Sequence, residues 1–345
     1  MRILTAGESH GKGLVAIIEG MPAGLTVKVD FINAELKRRQ MGFGRGKRMQ
    51  IENDRAQVLS GLRAGKTLGS PVALLIENKD ASIERLHKVV APRPGHADLA
   101  GALKYGFSDI RDVLERASAR STAATVACGA LAKILLQEFR IRITSIVVLI
   151  GGEAGREAKI EKIREAVRRR DTVGGEFEVR AAGVPAGLGS YVQPDRRLDA
   201  MIAAAVMAIP GVKGVEIGLG FGYGQRFGSE VHDPIQYEKG KGIVRSTNNA
   251  GGIEGGISNG QDIVVRGCMK PIATLLNPLD SINIVSRKAA KASVERSDIC
   301  AVESAGVVAE AAVAQVLAGA FLEKFGSDSI ADIKAGYAHY CKRIR

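Results

Sequence analysis

Two histidines in this 345-residue chain stand where an imidazole can work: His10 in GESHG and His96 in RPGHAD. Each lies inside a glycine-containing loop beside an acidic residue, Glu8 or Asp98. Imidazole titrates near pH ~6.5, so a loop histidine with a carboxylate neighbour can give or take a proton at neutral pH. GESHG also fits G-x-S-x-G, the turn that presents a nucleophilic serine, which would make Ser9 the working residue. That elbow follows a central strand and draws an oxyanion-hole N–H from a loop earlier in the chain, yet only six residues precede Gly7. His10 rather than Ser9 is therefore expected to do the chemistry. His87, His232 and His339 lack such framing and read as ordinary surface or core residues.

Arginines surround these loops in the sequence. Arg38, Arg39, Arg45, Lys47 and Arg48 fall within eleven positions, and Arg116 and Arg120 flank Ser118. Glycines between the charges let the backbone fold inward, and a guanidinium grips phosphate or carboxylate through two parallel hydrogen bonds. The formal charge of +12 points to an anionic partner. Aromatic content of 4% without Trp leaves few platforms for stacking bases, so a small, multiply charged substrate fits better than nucleic acid. A basic RNA-binding protein is the rival reading; it predicts tight, steeply salt-dependent retention on polynucleotide and leaves the two framed histidines without a role.

Other chemistries lack their patterns. Cys128, Cys268, Cys300 and Cys341 are scattered without a CxxC pair and read as reduced thiols, with no metal site expected. GLRAGKT at 61–67 has three residues between its glycines where a phosphate-cradling P-loop needs four, and GLGFGYGQRFG contains no G-x-G-x-x-G. The N-terminus has no basic-then-apolar leader, and nowhere do about 18 apolar residues run uninterrupted, so a cytoplasmic protein without membrane association is expected.

The elements that must hold these residues are legible from hydrophobic periodicity. MRILTA reads as a buried strand running into the GESHG turn, and LVAIIEGMPAGLTV as a strand, a Gly/Pro turn and another strand. Asn33 is placed to cap the helix AELKRRQ, after which MGFGRGKRMQ reads as a mobile cationic loop. A strand is expected at 72–77 and a long, functional loop at 80–106. Two small-residue helices, 118–139 and 301–325, are apolar on most of their circumference, the mark of core helices. Strands at 141–150 and 177–184, helices near 158–170 and 198–208, and a glycine-dense tract at 211–260 lie between them. No linker or composition break divides the chain, so one interwoven domain, 1–345, is expected. Glu115-Arg116-Ala117-Ser118 precedes the first long helix and Glu295-Arg296-Ser297-Asp298 the second. This echo is either coincidence or the trace of two similar halves, each presenting an arginine at a helix N-terminus.

Three separated stretches together resemble the chorismate synthase family: GESHGKGLVAIIEGMPAG, ERASARSTAATVACGAL and ERSDICAVESAGVVAE. Intervening matches such as RPGHADLAGALKYGFSDIRDVL and NNAGGIEGGISNGQDIVVRGCMKPIATL extend the likeness over nearly the whole chain. The resemblance implies an α+β fold, a β-α-β sandwich with long core helices between two antiparallel sheets, and a homotetramer. It implies conversion of 5-enolpyruvylshikimate 3-phosphate to chorismate with reduced FMN and no net redox change, the flavin being reduced by an external or NADPH-dependent reductase. By the same resemblance His10 and His96 are acid/base residues, and Asp298 relays the ring proton through flavin N5. Arg39, Arg45, Arg48 and Arg120 bind substrate. FMN maps onto Arg116, Ala117, Ser118, Gly255, Lys270, Pro271, Ile272, Ala273, Thr274 and Arg296. Pro210 and Gly211 depart from the family's usual polar-plus-Ala pair, and KPIAT lacks hydroxyls that some members carry.

Overall fold

In the strand Gly13–Glu19, Leu14, Ala16 and Ile18 are buried while their neighbours face outward, and Val72, Leu74 and Ile76 repeat the pattern in Val72–Glu77. This period of two gives each strand one core face. A computed structural model describes residues 1–45, 53–240 and 242–344. Its first sheet contains β1 (Arg2–Ala6), β2 (Gly13–Glu19), β3 (Ala56–Ser60) and β4 (Val72–Glu77), ordered β1-β2-β4-β3 with every pair antiparallel. A second sheet contains β5 (Arg142–Ile150), β6 (Gly175–Ala182), β7 (Val212–Ile217) and β8 (Ile263–Met269), ordered β5-β6-β8-β7 and also antiparallel throughout. Both sheets therefore run first-second-fourth-third, the order a repeated half would produce.

The longer helices are α1 (Val29–Gln40), α2 (Asp98–Tyr105), α3 (Arg111–Ala117), α4 (Thr122–Gln137), α5 (Arg156–Arg169), α6 (Leu198–Met207), α7 (Val302–Phe325) and α8 (Ile330–Arg343). α4 packs on the first sheet, α7 on the second, and the two pack on each other, so the long helices lie between the sheets in an α+β sandwich. Gly129 makes the close approach possible: a Cβ there would stand 2.2 Å from the Ala311 Cβ and 2.5 Å from its Cα. The stretch 111–137 and Val302–Phe325 are long and apolar enough to cross a bilayer, but 78% and 83% of their apolar windows are buried inside the fold, where they form its core.

Three local expectations give way to tertiary contacts. Asn33 does not cap α1, which starts earlier; its Oδ1 accepts from the Ala56 N–H and ties the helix to β3. The 80–106 segment is not all loop, because α2 begins at Asp98. The second strand expected after Gly20 is reduced to isolated bridges, Thr26 with Lys66 and Ala23 with Ser329.

Candidate active site

His10 follows β1, and its partner is not the adjacent Glu8. The Glu8 carboxylate folds back over Gly11, reaching within 3.0 Å of where a Cβ on that residue would stand. Instead the His10 N–H donates to Glu115 Oε2 at 2.7 Å, and Nδ1 lies 2.9 Å from Oε1. Glu115 sits on α3 and is 3% exposed. Burial raises its pKa, but the bonds from His10 and the charge of Arg111 outweigh that and hold the carboxyl below its usual range. An ionised carboxylate only accepts, so Nδ1 carries the hydrogen and Nε2 is the ring nitrogen left unengaged by Glu115.

His96 is built the same way from other elements. Its Nδ1 lies 2.5 Å from Oδ1 of Asp98, the first residue of α2, which is fully buried. Arg93 clasps the same carboxylate through Nε at 2.8 Å and Nη2 at 3.0 Å, and its backbone N–H also donates to it. Arg93 Nη1 then reaches Thr274 Oγ1 at 2.8 Å, joining this loop to the KPIAT turn. Burial raises the Asp98 pKa, while bonds from His96 and Arg93 pull it far below the ordinary value.

Between the histidines lies a cluster of arginines. Arg39 on α1 and Arg120 before α4 share one buried carboxylate, Asp54, at 3.3 and 2.5 Å. Arg39 also donates to Thr122 Oγ1, and Arg120 to Asn78 Oδ1. Burial lowers the Arg39 pKa to about 10, partly offset by Asp54, so it stays protonated at neutral pH. Arg45 pairs with Asp298 at 2.7 Å. The loop carrying Arg45 is fastened by the carbonyl of Gly44, which accepts from the N–H groups of Ile299 and Cys300. Gly44 has φ +88°, and a Cβ there would stand 2.9 Å from Ile163 Cγ2, so glycine is needed on both counts.

These groups meet on one cavity of about 1110 Å³. That is more than the ~300–1,000 Å³ typical of a pocket for one small ligand, and leaves room for two side by side. His10, His96, Asp298, Arg39, Arg45, Arg120, Ala117, Ser118, Arg296 and the whole Lys270–Thr274 turn line it. The carboxylates Asp54, Asp98 and Glu115 stand behind the wall, while Glu295 and Asp298 are the carboxylates on it. Apolar Ile209, Met269, Ile272 and Leu276 share the lining with Lys270 and Arg296, a donor set that fits a flat ring bearing an anionic tail. Burial, with Lys213 nearby, lowers the Lys270 pKa.

Two of the expected cofactor residues lie off this wall. Arg116 donates to the carbonyls of Thr5 and Gly7, bracing the turn before His10. Gly255 occupies the turn between Ile253–Glu254 and Ile257–Ser258, with open space around it. Arg48 lies outside the described residues. Arg38, part of the same basic run and itself part-exposed, pairs with the buried carboxylates of Glu35 and Glu310. Sequence reasoning missed Asp54, Arg93 and Glu115 as partners. Arg93 stood inside RPGHAD and Glu115 headed the echoed segment, whereas nothing local marks Asp54.

The chain is similar to known proteins over its full length. A family model described as chorismate synthase matches residues 1–322. A chorismate synthase of Thermoanaerobacter pseudethanolicus is 54% identical over 348 residues, covering 100% of this chain and 99% of that protein. One from Moorella thermoacetica is 50% identical over 383 residues, covering 100% of both. A crystal structure of chorismate synthase superposes with a TM-score of 0.82 at 43% identity, covering 99% of this chain and 98% of the other.

Proposed function

The chain belongs to the chorismate synthase family, and from that premise we propose how the residues of its cavity divide the work. It is a lyase of the shikimate pathway: 5-enolpyruvylshikimate 3-phosphate loses its 3-phosphate and a ring proton to give chorismate, with a flavin as cofactor. The flavin is taken to be FMN in its reduced state, which when bound would supply electron density for loss of the phosphate with no net redox change.

The reading of the residues rests on one arrangement: two histidines held at Nδ1 by buried carboxylates on the wall of a cation-lined cavity. Arg39 and Arg120 are assigned to the substrate's phosphate and carboxylates, together with Arg45 and, by family pattern, Arg48. A buried multiple anion needs several guanidiniums, because unpaired buried charge is costly. With a flavin bound, His10 in its imidazolium form would give the Nε2 proton toward the reduced ring and be left as the Nδ1–H tautomer that Glu115 holds. His96, as imidazolium, gives its Nε2 proton to the leaving phosphate and is left as the Nδ1–H tautomer that Asp98 holds. Asp298, whose carboxylate lies against Arg45 on the cavity wall, is the base for the ring proton. Lys270 and Arg296 would hold the cofactor's phosphate, with Ala117, Ser118 and the rest of the 270–274 turn lining the space for its ring. Family membership also supports reading the chain as one domain in a cytoplasmic homotetramer whose flavin is reduced by a separate or NADPH-dependent reductase.

Anaerobic turnover of 5-enolpyruvylshikimate 3-phosphate with photoreduced FMN, following chorismate and phosphate together, tests the cofactor assignment. Product is expected only with reduced flavin. Equal turnover with oxidised FMN would remove the assignment.

A further inference from the structure

Arg111 has no place on the cavity wall, yet it stands between the two segments that supply it. It is buried on α3, one turn before Glu115. Its Nη2 lies 2.9 Å from Glu295 Oε1, its Nη1 3.3 Å from Glu295 Oε2, and the same Nη1 is 3.8 Å from Glu115 Oε1. Glu115 Oε1 is the oxygen that holds His10 Nδ1. Glu115 and Glu295 head the two echoed segments, one leading to Ser118 and Arg120 and the other to Arg296 and Asp298. A single guanidinium thus joins corresponding carboxylates of the two halves.

We propose that Arg111 is a positioning residue for the elimination, acting through Glu115 on His10 and through Glu295 on the segment that carries Arg296 and Asp298. A planar fork can hold two carboxylates at fixed angles, which a lysine ammonium cannot reproduce. Without it, Glu115 keeps only His10 as a charged partner among these contacts, and the imidazole loses the fixed acceptor that sets its tautomer. Glu295 is then released from the floor of the site, and the spacing between His10 and Asp298 is no longer set. The inference rests on the acid/base reading of His10.

The test is a mutant cycle on the full-length enzyme with reduced FMN. Arg111→Met is expected to lower kcat by roughly 30-fold or more while KM for 5-enolpyruvylshikimate 3-phosphate stays within about threefold, because the loss falls on geometry used in the transition state. Arg111→Lys should recover only part. In a His10→Ala background, Arg111→Met should cost several-fold less than in the parent, since the arm through Glu115 is already idle and only the arm through Glu295 remains. Full additivity in that background, or a change confined to KM, overturns the proposal. If Arg111→Met does not fold, Glu295→Gln cuts the same bridge at its other end and enters the same cycle. Histidine ¹⁵N spectra of the flavin-free protein read the coupling without turnover: His10 should show the Nδ1–H tautomer in the parent and a mixture in Arg111→Met. An unchanged His10 signal overturns the proposal. Full activity of His10→Ala would instead sink the reading of His10, and with it this arm of the bridge.

Discussion

Arg38 and Arg39 are neighbours on α1, about 100° apart around the helix, and they enter two different charge networks. Arg38 donates to Glu310 and Glu35, Lys133 donates to both of the same carboxylates, and Ser145 completes Glu310 at 2.6 Å. Two cations and two carboxylates there satisfy one another between α1, α4, α7 and β5, away from the cavity. Arg39 and Arg120 instead both reach the carboxylate of Asp54 and line the cavity wall. The first network is balanced and locks core helices together. The second turns its guanidiniums to the cavity, where they can meet an anion.

Four substitutions and a titration sharpen this contrast or break it. Lys133→Met leaves two buried glutamates with one cation, and should cost about 3–5 kcal/mol of stability in urea unfolding with turnover per folded molecule unchanged. Lost turnover in well-folded Lys133→Met would show the networks to be one. His10→Ala should do the reverse, lowering turnover by about 10²-fold or more with the unfolding midpoint in place. Arg39→Lys keeps the charge but loses the fork, and a rise in substrate KM on the order of tenfold is expected from one weakened charge-assisted bond. An unchanged KM would remove Arg39 from substrate binding. Gly44→Ala places a side chain at a left-handed position against Ile163; a loss of about 1–2 kcal/mol, with a weaker grip of Arg45 on substrate, should follow.

The smallest expected effect is on stability in acid, to which the core network and the carboxylates behind the two histidines both contribute. Glu310, Glu115 and Asp98 each have a folded-state pKa below the usual carboxylate value, so their contribution is fully present above the unfolded pKa and is lost as pH falls through the folded values. The unfolding midpoint should stay level down to about pH 5 and decline below about pH 4. A midpoint that improves on acidification over that range would contradict these directions.

Much of the frame was legible. The strand at 72–77 falls where periodicity placed it, and the long helices differ from expectation by a few residues at their ends. α1 was misjudged at its start because Asn33 is used in a tertiary bond, and α2 was missed because its first residue, Asp98, looked like part of a functional loop. At the site, the short-range pair His96 and Asp98 could be read because its members are two positions apart. His10 could not be paired from sequence, since the carboxylate beside it turns away and the one it uses is 105 positions distant.

Sequence by itself determined the elements, the strongly cationic balance and the residue types able to do the chemistry, because these follow from local periodicity and from side-chain pKa and shape. It also carried the family resemblance in its motifs. Tertiary structure alone decided which charges face the cavity and which are neutralised in the core. Arg38 and Arg39 are indistinguishable along the chain; only the packing of α1 against α4 and α7 sends one to Glu310, 272 positions away, and the other to Asp54. An ion pair between distant segments exists only after the sheets and helices close on each other, so no local pattern encodes it.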